Sequence, residues 1–317
     1  MSTKASAASP TLDSIAEFVP SPVPCVAVAA PHSEDTVLCM ARAVRDGIAT
    51  FLCFGDPTVV RRLAEQCEVD GNGFDVVSVP DDDTACIAAA DAVSLGRASV
   101  LMKGLVTTAS FMHAILRKDA RLVPTGSLLS HVAAFEIQGI PRIVFLTDAA
   151  INIVPSVDDK ERILENAVRV ARSIGIDRPY VACIAPVEAV NPRIGSTVDA
   201  AELTQRGRGG EFAGAVVGGP FGLDVAISRE AAAAKKIDDP VAGRADIIVV
   251  PSLDVGNAVY KSLVYCANAR VAAVVAGARV PIVLTSRADS DETKYLSLVF
   301  AIAQRPNNKL DSGFRNN

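Results

Sequence analysis

The sequence predicts an α/β fold whose sheets are mostly parallel and covered by helices on both faces. Short apolar runs alternate with amphipathic ones along nearly the whole chain, which is the pattern of repeated strand–helix units. Ala and Val are abundant, whereas aromatics are 5% of residues with no Trp; strands sandwiched between helices suit that composition better than an aromatic-filled β-sandwich. At 317 residues, half of them apolar, the chain is long enough to build two lobes.

Residues 1–17 are rich in Ser, Ala and Thr and read as a loose end, as does the polar tail 306–317. Prolines at 20, 22 and 24 lead into a first strand over 25–30. Ser33 can cap the helix that follows; Glu34 and Asp35 lie in its first turn and Gly47 beyond its end. The alternation continues with strand 49–54, helix 58–66, strand 74–79, helix 82–95, strand 99–102 and helix 107–116. The second half starts differently, with two successive strands at 128–136 and 142–146. Ser156 and Asp159 are spaced as a capping box that opens a long helix ending at Ile174 and Gly175. Strands are expected at 180–185, 214–217, 246–250, 271–275 and 281–284, with helices between them and a last helix over 291–303. The change of pattern at 124–128 suggests the domain boundary, with 18–125 plus 281–305 as a discontinuous first lobe and 126–280 as the second.

Composition narrows the function. The net charge is −5 and Lys and Arg are scattered, so there is no basic footprint of a nucleic-acid binder; an anionic ligand must be held by a few local positive groups. Seven cysteines without a C-x-x-C pair read as reduced, buried thiols. His32, His113 and His131 are too few and too scattered for a metal site. Apolar stretches fall short of the roughly 20 residues of a spanning helix, and the prolines within 18–30 argue against a signal peptide. The expected location is the cytoplasm, with neither membrane nor nucleic acid as partner.

In open α/β sheets, ligands gather at the carboxyl ends of strands. Four such junctions carry polar residues. At Thr285-Ser286-Arg287-Ala288-Asp289-Ser290 an apolar strand gives way to a helix N-terminus, whose unpaired N–H groups favour an anion; a guanidinium there matches phosphate oxygens. A helix cap with a surface Arg explains the same residues equally well. Lys103-Gly104 followed by Thr107 and Thr108 offers charge, close backbone approach and hydroxyls, without P-loop order, and also fits an ordinary strand-to-helix turn. Asp254-x-Gly256-Asn257 with Tyr260 and Lys261 could face a cleft, or could let a helix pack closely. Gly218-Gly219-Pro220 with Asp224 suits either a ligand backbone or a tight turn. Ser130-His131 and Thr147-Asp148 complete the list; a lone His near an apolar strand is more often a hydrogen-bonded structural residue, so His131 ranks second, and neither a catalytic triad order nor a G-x-S-x-G elbow is present.

The motifs Lys103-Gly104-x-x-Thr107, Leu129-Ser130-His131, Thr147-Asp148-Ala149-Ala150 with Pro155, and Val187-Glu188-Ala189-Val190-Asn191 with Ser196-Thr197 occur in order with Gly219-Pro220 and Leu223-Asp224, Gly256-Asn257 and Tyr260-Lys261, and Thr285-Ser286-Arg287 with Ser290. In that order and spacing the chain resembles the phosphate acetyltransferase and phosphate butyryltransferase family over residues 26–304, its butyryl branch more than its acetyl branch. The resemblance implies reversible transfer of a short acyl group between acyl-CoA and inorganic phosphate, giving acyl phosphate. Coenzyme A is then a substrate, and no metal or permanently bound cofactor takes part. It also implies two α/β lobes with the active site in the cleft between them, and a homodimer or larger assembly. Ser286, contacting the thiol or carbonyl, and Arg287, holding the phosphate, become the catalytic pair. Lys103, Gly104, Thr107, Ser130, His131, Gly219, Asp224, Gly256, Asn257, Lys261 and Ser290 become substrate-binding residues.

One departure bears on mechanism. The acetyl branch places an Asp seven residues after the catalytic Ser as base on the thiol, and that position here is Thr293. Helical spacing points Asp291 and Glu292 elsewhere, so the base is unassigned. The acetyl branch also uses an Arg after the lysine–glycine loop, where Met112 and His113 stand here. Other readings are a phosphate acetyltransferase and a non-catalytic CoA- or phosphate-binding protein on the same scaffold. A dinucleotide dehydrogenase is disfavoured because no G-x-G-x-x-G follows the first strand.

Overall fold

The computed structural model describes residues 9–212 and 214–305; the expectations for residues 1–8 and for the tail 306–317 lie outside the described residues. In chain order the elements are β1 (Cys25–Ala29), α1 (Glu34–Arg45), β2 (Thr50–Gly55), α2 (Pro57–Gln66), β3 (Phe74–Ser78), α3 (Asp82–Ser94), β4 (Val100–Lys103) and α4 (Thr108–Leu116). Then come β5 (Ser130–Glu136), β6 (Ile143–Thr147), α5 (Val157–Ser173), β7 (Tyr180–Ile184), α6 (Gly195–Arg208), β8 (Val216–Phe221), α7 (Leu223–Ile227) and α8 (Arg229–Ala234). The last are β9 (Ile247–Val249), α9 (Leu253–Lys261), β10 (Arg270–Ala276), β11 (Ile282–Val283) and α10 (Asp291–Ala303). The fold is α/β with mostly parallel strands, as the alternation predicts.

Helix starts follow local chemistry. Asp56, Asp81, Thr107 and Ser290 each accept a hydrogen bond from a first-turn N–H of α2, α3, α4 and α10, and Ser156 with Asp159 forms the expected capping box of α5. Ser33 does not act as the cap expected from sequence. It holds the N-cap position of α1, but its Oγ bonds the Thr36 hydroxyl at 2.8 Å instead of a backbone N–H.

The chain divides into two compact units. One comprises Ala16–Val132 and the chain from Ala272 onward; the other is Ala133–Val271 with the N-terminal stretch up to Ile15. These crossings lie at 132/133 and 271/272; the change of strand pattern in the sequence suggests 125/126 and 280/281. In the first unit the strand order is β3-β2-β1-β4-β11-β10. The pairs are parallel except β10 with β11. Every residue of α10 from Lys294 to Ala303 is buried, so this helix is core on all sides. The second unit orders its strands β5-β6-β9-β7-β8, with an antiparallel β5–β6 pair and the rest parallel.

Two expectations are corrected. Residues 12–17 are not a loose end: Leu12 and Ile15 are buried, a 3-10 turn spans Asp13–Phe18, and the Leu12 N–H donates to Glu136 Oε1 at 2.8 Å. The apolar pair at i and i+3 within a Ser/Thr-rich stretch is a short helical face that composition conceals. The strand expected at 214–217 runs instead as β8 to Phe221, through Gly218, Gly219 and Pro220. It is an edge strand whose register against β7 shifts between Ala182 and Ile184, the setting in which Pro and Gly are tolerated.

Candidate active site

The turn from β11 into α10 belongs to the first unit. Thr285 is buried, and the chain then surfaces at Ser286, Arg287 and Ala288. The Asp289 carboxylate accepts from the Ser286 N–H at 2.7 Å, and Ser286 Oγ accepts from the Ala288 N–H at 3.3 Å. These bonds fold the turn back on itself and leave the Ser286 O–H proton without an acceptor among the described residues. Arg287 is exposed and makes no hydrogen bond or ion pair among the described residues. A guanidinium held in place by its backbone but with its donors uncommitted is what an anion needs.

Beside this turn stands the end of β4. Met102 pairs with Val283 in parallel register, so Lys103 and the residues after Val283 leave the sheet at the same edge. Lys103 is only 4% exposed, and its Nζ donates to the carbonyls of Gly104 and Val106, each at 3.1 Å. Burial, then the cations Arg287 and Lys294, push the Lys103 ammonium below its usual pKa, while Cys86 and Asp289 oppose them. Gly104 is required here: a Cβ would lie 2.1 Å from the Ala30 carbonyl oxygen.

Two residues of the cluster escaped the sequence reading. Lys294, 4% exposed, donates to the Asp289 carbonyl and lies 3.7 Å from Asp35. Asp289 is half-buried, and burial raises its pKa against the pull of the Ser286 N–H, Lys294, His131 and Lys103. Lys103, His131, Arg287, Asp289 and Lys294 are therefore electrostatic neighbours. A lysine in the first turns of a helix carries no sequence mark of burial; the only hint lay in the run from Tyr295 to Ala303 that follows it, apolar but for Ser297.

The other expected residues divide by unit. In the first, Ser130 and His131 are buried at the start of β5. Thr107 spends its hydroxyl on capping α4, accepting from the Ser110 N–H at 3.0 Å, and Ser290 does the same for α10 at 3.2 Å. In the second unit, Gly219 admits only glycine, because a Cβ would lie 2.5 Å from the Cys183 carbonyl oxygen and its φ is +144°. Asp224 pairs at 3.0 Å with Lys235, which also binds Glu188. A Cβ on Gly256 would lie 2.3 Å from the Asp148 carbonyl oxygen, and Asn257 donates to the Ala149 carbonyl at 3.3 Å, so both seat α9 closely on the loop after β6. Lys261 is exposed at the end of α9. Among the described residues no helix is long and apolar enough to cross a membrane, and no group of three or more His, Cys, Asp or Glu could hold a metal ion.

Comparison with known proteins gives this arrangement a context. The chain is 42% identical to the phosphate butyryltransferase of Clostridium acetobutylicum, over 87% of its own length and 91% of that protein. It is 36% identical to the phosphate acetyltransferase of Thermotoga maritima, over 87% and 93%. Its structure superposes on a branched-chain phosphotransacylase from Enterococcus faecalis V583 with a TM-score of 0.79 and 34% identity, covering 89% of this chain and 99% of that one. Residues 56–302 match the model of the family described as Phosphate acetyl/butaryl transferase, and with the relatives above, this shows that the chain belongs to that family.

Proposed function

We propose that the protein catalyses reversible transfer of a short acyl group, butyryl foremost, between coenzyme A and inorganic phosphate. The observation that carries this reading is the turn after β11, where the Arg287 guanidinium and the Ser286 O–H are both uncommitted beside the buried cations Lys103 and Lys294. Family membership supports it, and the higher identity to a butyryl than to an acetyl relative favours the longer chain.

In this reading the reaction passes through a tetrahedral centre bearing negative charge beside an already anionic phosphate. Arg287 binds the phosphate and holds it in line. Ser286 donates to the carbonyl oxygen as charge develops on it, the kind of contact that strengthens in the transition state. Lys103 and Lys294 add positive potential from below without leaving their carbonyl partners. Gly219, Asp224, Gly256, Asn257 and Lys261 of the second unit are read as substrate-binding on the family resemblance. Coenzyme A is a substrate and no resident cofactor is invoked; the working form is a homodimer or larger assembly in the cytoplasm.

The test is phosphate-dependent thiol release from acetyl-, propionyl-, butyryl- and valeryl-CoA. Activity should require phosphate, survive a chelator and peak at butyryl. A peak at acetyl would convert the reading to a phosphate acetyltransferase. Binding of CoA without turnover of any thioester would leave only the non-catalytic alternative. Ser286→Ala should lower kcat about 10²-fold, the usual cost of one such donor.

A further inference from the structure

Acyl transfer to coenzyme A needs a proton acceptor. A thiol with a pKa of about 8.5 is only a few per cent ionised at neutral pH, and the thiolate is the nucleophile. Five side chains with oxygen occupy positions 289–293 beyond Arg287, and the structure separates them; Ser290 caps α10. Asp291 and Glu292 are exposed in the first turn of α10. Thr293 is tied to Ser290 twice: its N–H donates to Ser290 Oγ at 3.2 Å, and the two hydroxyls are 3.3 Å apart. Asp289 alone is a half-buried carboxylate within the Ser286–Arg287 turn itself.

We propose that Asp289 is the group that takes the proton from the coenzyme A thiol; the inference rests on the function proposed above and assigns its missing base. Asp289 is held from two sides. Its Oδ2 accepts from the Ser286 N–H at 2.7 Å, which ties the carboxylate to the residue whose hydroxyl meets the acyl group. Its backbone carbonyl is gripped by Lys294, a buried cation that also leans on Asp35 from α1. A carboxylate fixed by backbone contacts at both ends keeps one position through the reaction, as a general base must.

The step balances. As the sulfur attacks the acyl carbon, the S–H proton moves to the Asp289 carboxylate and the C–S bond forms. The tetrahedral centre then collapses, the carbon–oxygen bond to phosphate breaks, and its electron pair leaves with the phosphate held by Arg287. Asp289 returns its proton to that phosphate. In reverse, the protonated carboxyl delivers the proton to the departing thiolate.

The groups facing Asp289 are Lys103 on β4, His131 on β5, Lys294 on α10 and the Ser286 N–H, with Asp35 of α1 partnering Lys294. All four direct neighbours pull its pKa down and burial pushes it up, with burial the larger effect. Burial thus makes the Asp289 carboxylate a stronger base than an exposed Asp. The sign for activity follows: turnover falls as pH drops through this raised pKa, at a higher pH than an ordinary carboxylate would dictate.

The experiment measures kcat for acyl phosphate plus CoA against pH, in wild type, Asp289→Asn and Asp289→Glu. Asp289→Asn should lower kcat about 10²-fold or more, leave KM for acyl phosphate within about threefold, and abolish the acid limb; Asp289→Glu should recover about tenfold of the loss. Asn keeps an oxygen for the Ser286 N–H, so a purely structural role predicts near-normal kcat with the acid limb in place. That result, or a loss of rate with the limb unmoved, overturns the proposal. Should Asp289→Asn fail to fold, Lys294→Met decides, because removing a cation that faces Asp289 should move the acid limb to higher pH; an unmoved limb overturns the assignment. A wild-type protein inactive with every acyl-CoA and acyl phosphate would sink the proposed function and this inference together. An active wild type with an indifferent Asp289→Asn sinks only the second.

Discussion

After β4 the chain turns through Lys103 and Gly104 into α4; after β11 it turns through Ser286 and Arg287 into α10. The two strands are parallel neighbours in register; Lys103 ends β4, Arg287 lies in the turn after β11, and each turn carries a capping hydroxyl, Thr107 or Ser290, at the helix start. They use the charge in opposite ways. Lys103 is buried and spends its ammonium on two carbonyls of its own loop. Arg287 is exposed and spends nothing among the described residues. A charge already satisfied inside the fold contributes stability and field, whereas an unspent one is free for a ligand, and only burial and bonding, never the local sequence, tell the two apart.

The largest expected effect separates the turns by activity. Arg287→Ala should lower kcat/KM for phosphate about 10²–10³-fold. Its thermal midpoint should match that of wild type, because an exposed side chain with no partner among the described residues is worth within about 0.5 kcal/mol to the fold. Equal losses of activity and stability would mean that Arg287 supports the turn and is not reserved for a ligand.

The turn after β4 should show the reverse balance. Gly104→Ala forces a Cβ to within 2.1 Å of the Ala30 carbonyl oxygen, a backbone atom that cannot swing away. The Gly104 and Leu105 N–H groups bind the carbonyls of Ala29 and Ala30 at 2.9 and 2.7 Å, so the whole turn must shift. The loss should be about 1–3 kcal/mol, as for overpacking in a core, read by denaturant unfolding. Lys103→Met should cost less, about 1 kcal/mol: it strands two carbonyls but relieves the burial and the crowding by Arg287 and Lys294 that depress the ammonium. If Lys103→Met instead abolished phosphate binding while leaving stability untouched, the two turns would not differ as argued.

What was legible in the sequence follows from how local each signal is. Strand and helix alternation, the capping box at Ser156 and Asp159, and the limits of α10 depend on neighbours a few residues apart, and they appear where the pattern places them. The Ser286–Arg287 turn was legible because a strand end, a helix start and a guanidinium coincide in six residues. Asp289 and Lys294 were not, because their roles come from Lys103 and His131 on strands more than 150 positions away in sequence. Gly219 reads from sequence as meeting a ligand backbone or making a tight turn, and Gly256 as facing a cleft or letting a helix pack closely; what approaches each is the protein's own backbone, at Cys183 and Asp148, a partner that no spacing rule names. The buried face of Leu12 and Ile15 was hidden by polar composition around it.

The smallest effect tests the feature that both turns share. Ser290→Ala removes the acceptor for the Thr293 N–H and should destabilise α10 by about 1 kcal/mol, the usual cost of a lost cap, and Thr107→Ala should do the same at α4. Stability alone cannot say whether Ser290 also meets the phosphate, since either role loses its hydroxyl in the alanine variant. Ser290→Asp separates them. Asp caps as well as Ser and suits the positive end of the helix, so stability should return to the wild-type value. A second negative charge beside Arg287 would repel phosphate, so KM for phosphate should rise several-fold if Ser290 lies on the ligand's path. An aspartate variant as stable and as active as wild type would reduce Ser290 to a cap, leaving Arg287 the side that binds phosphate and making the two turns alike in everything except their unspent charge.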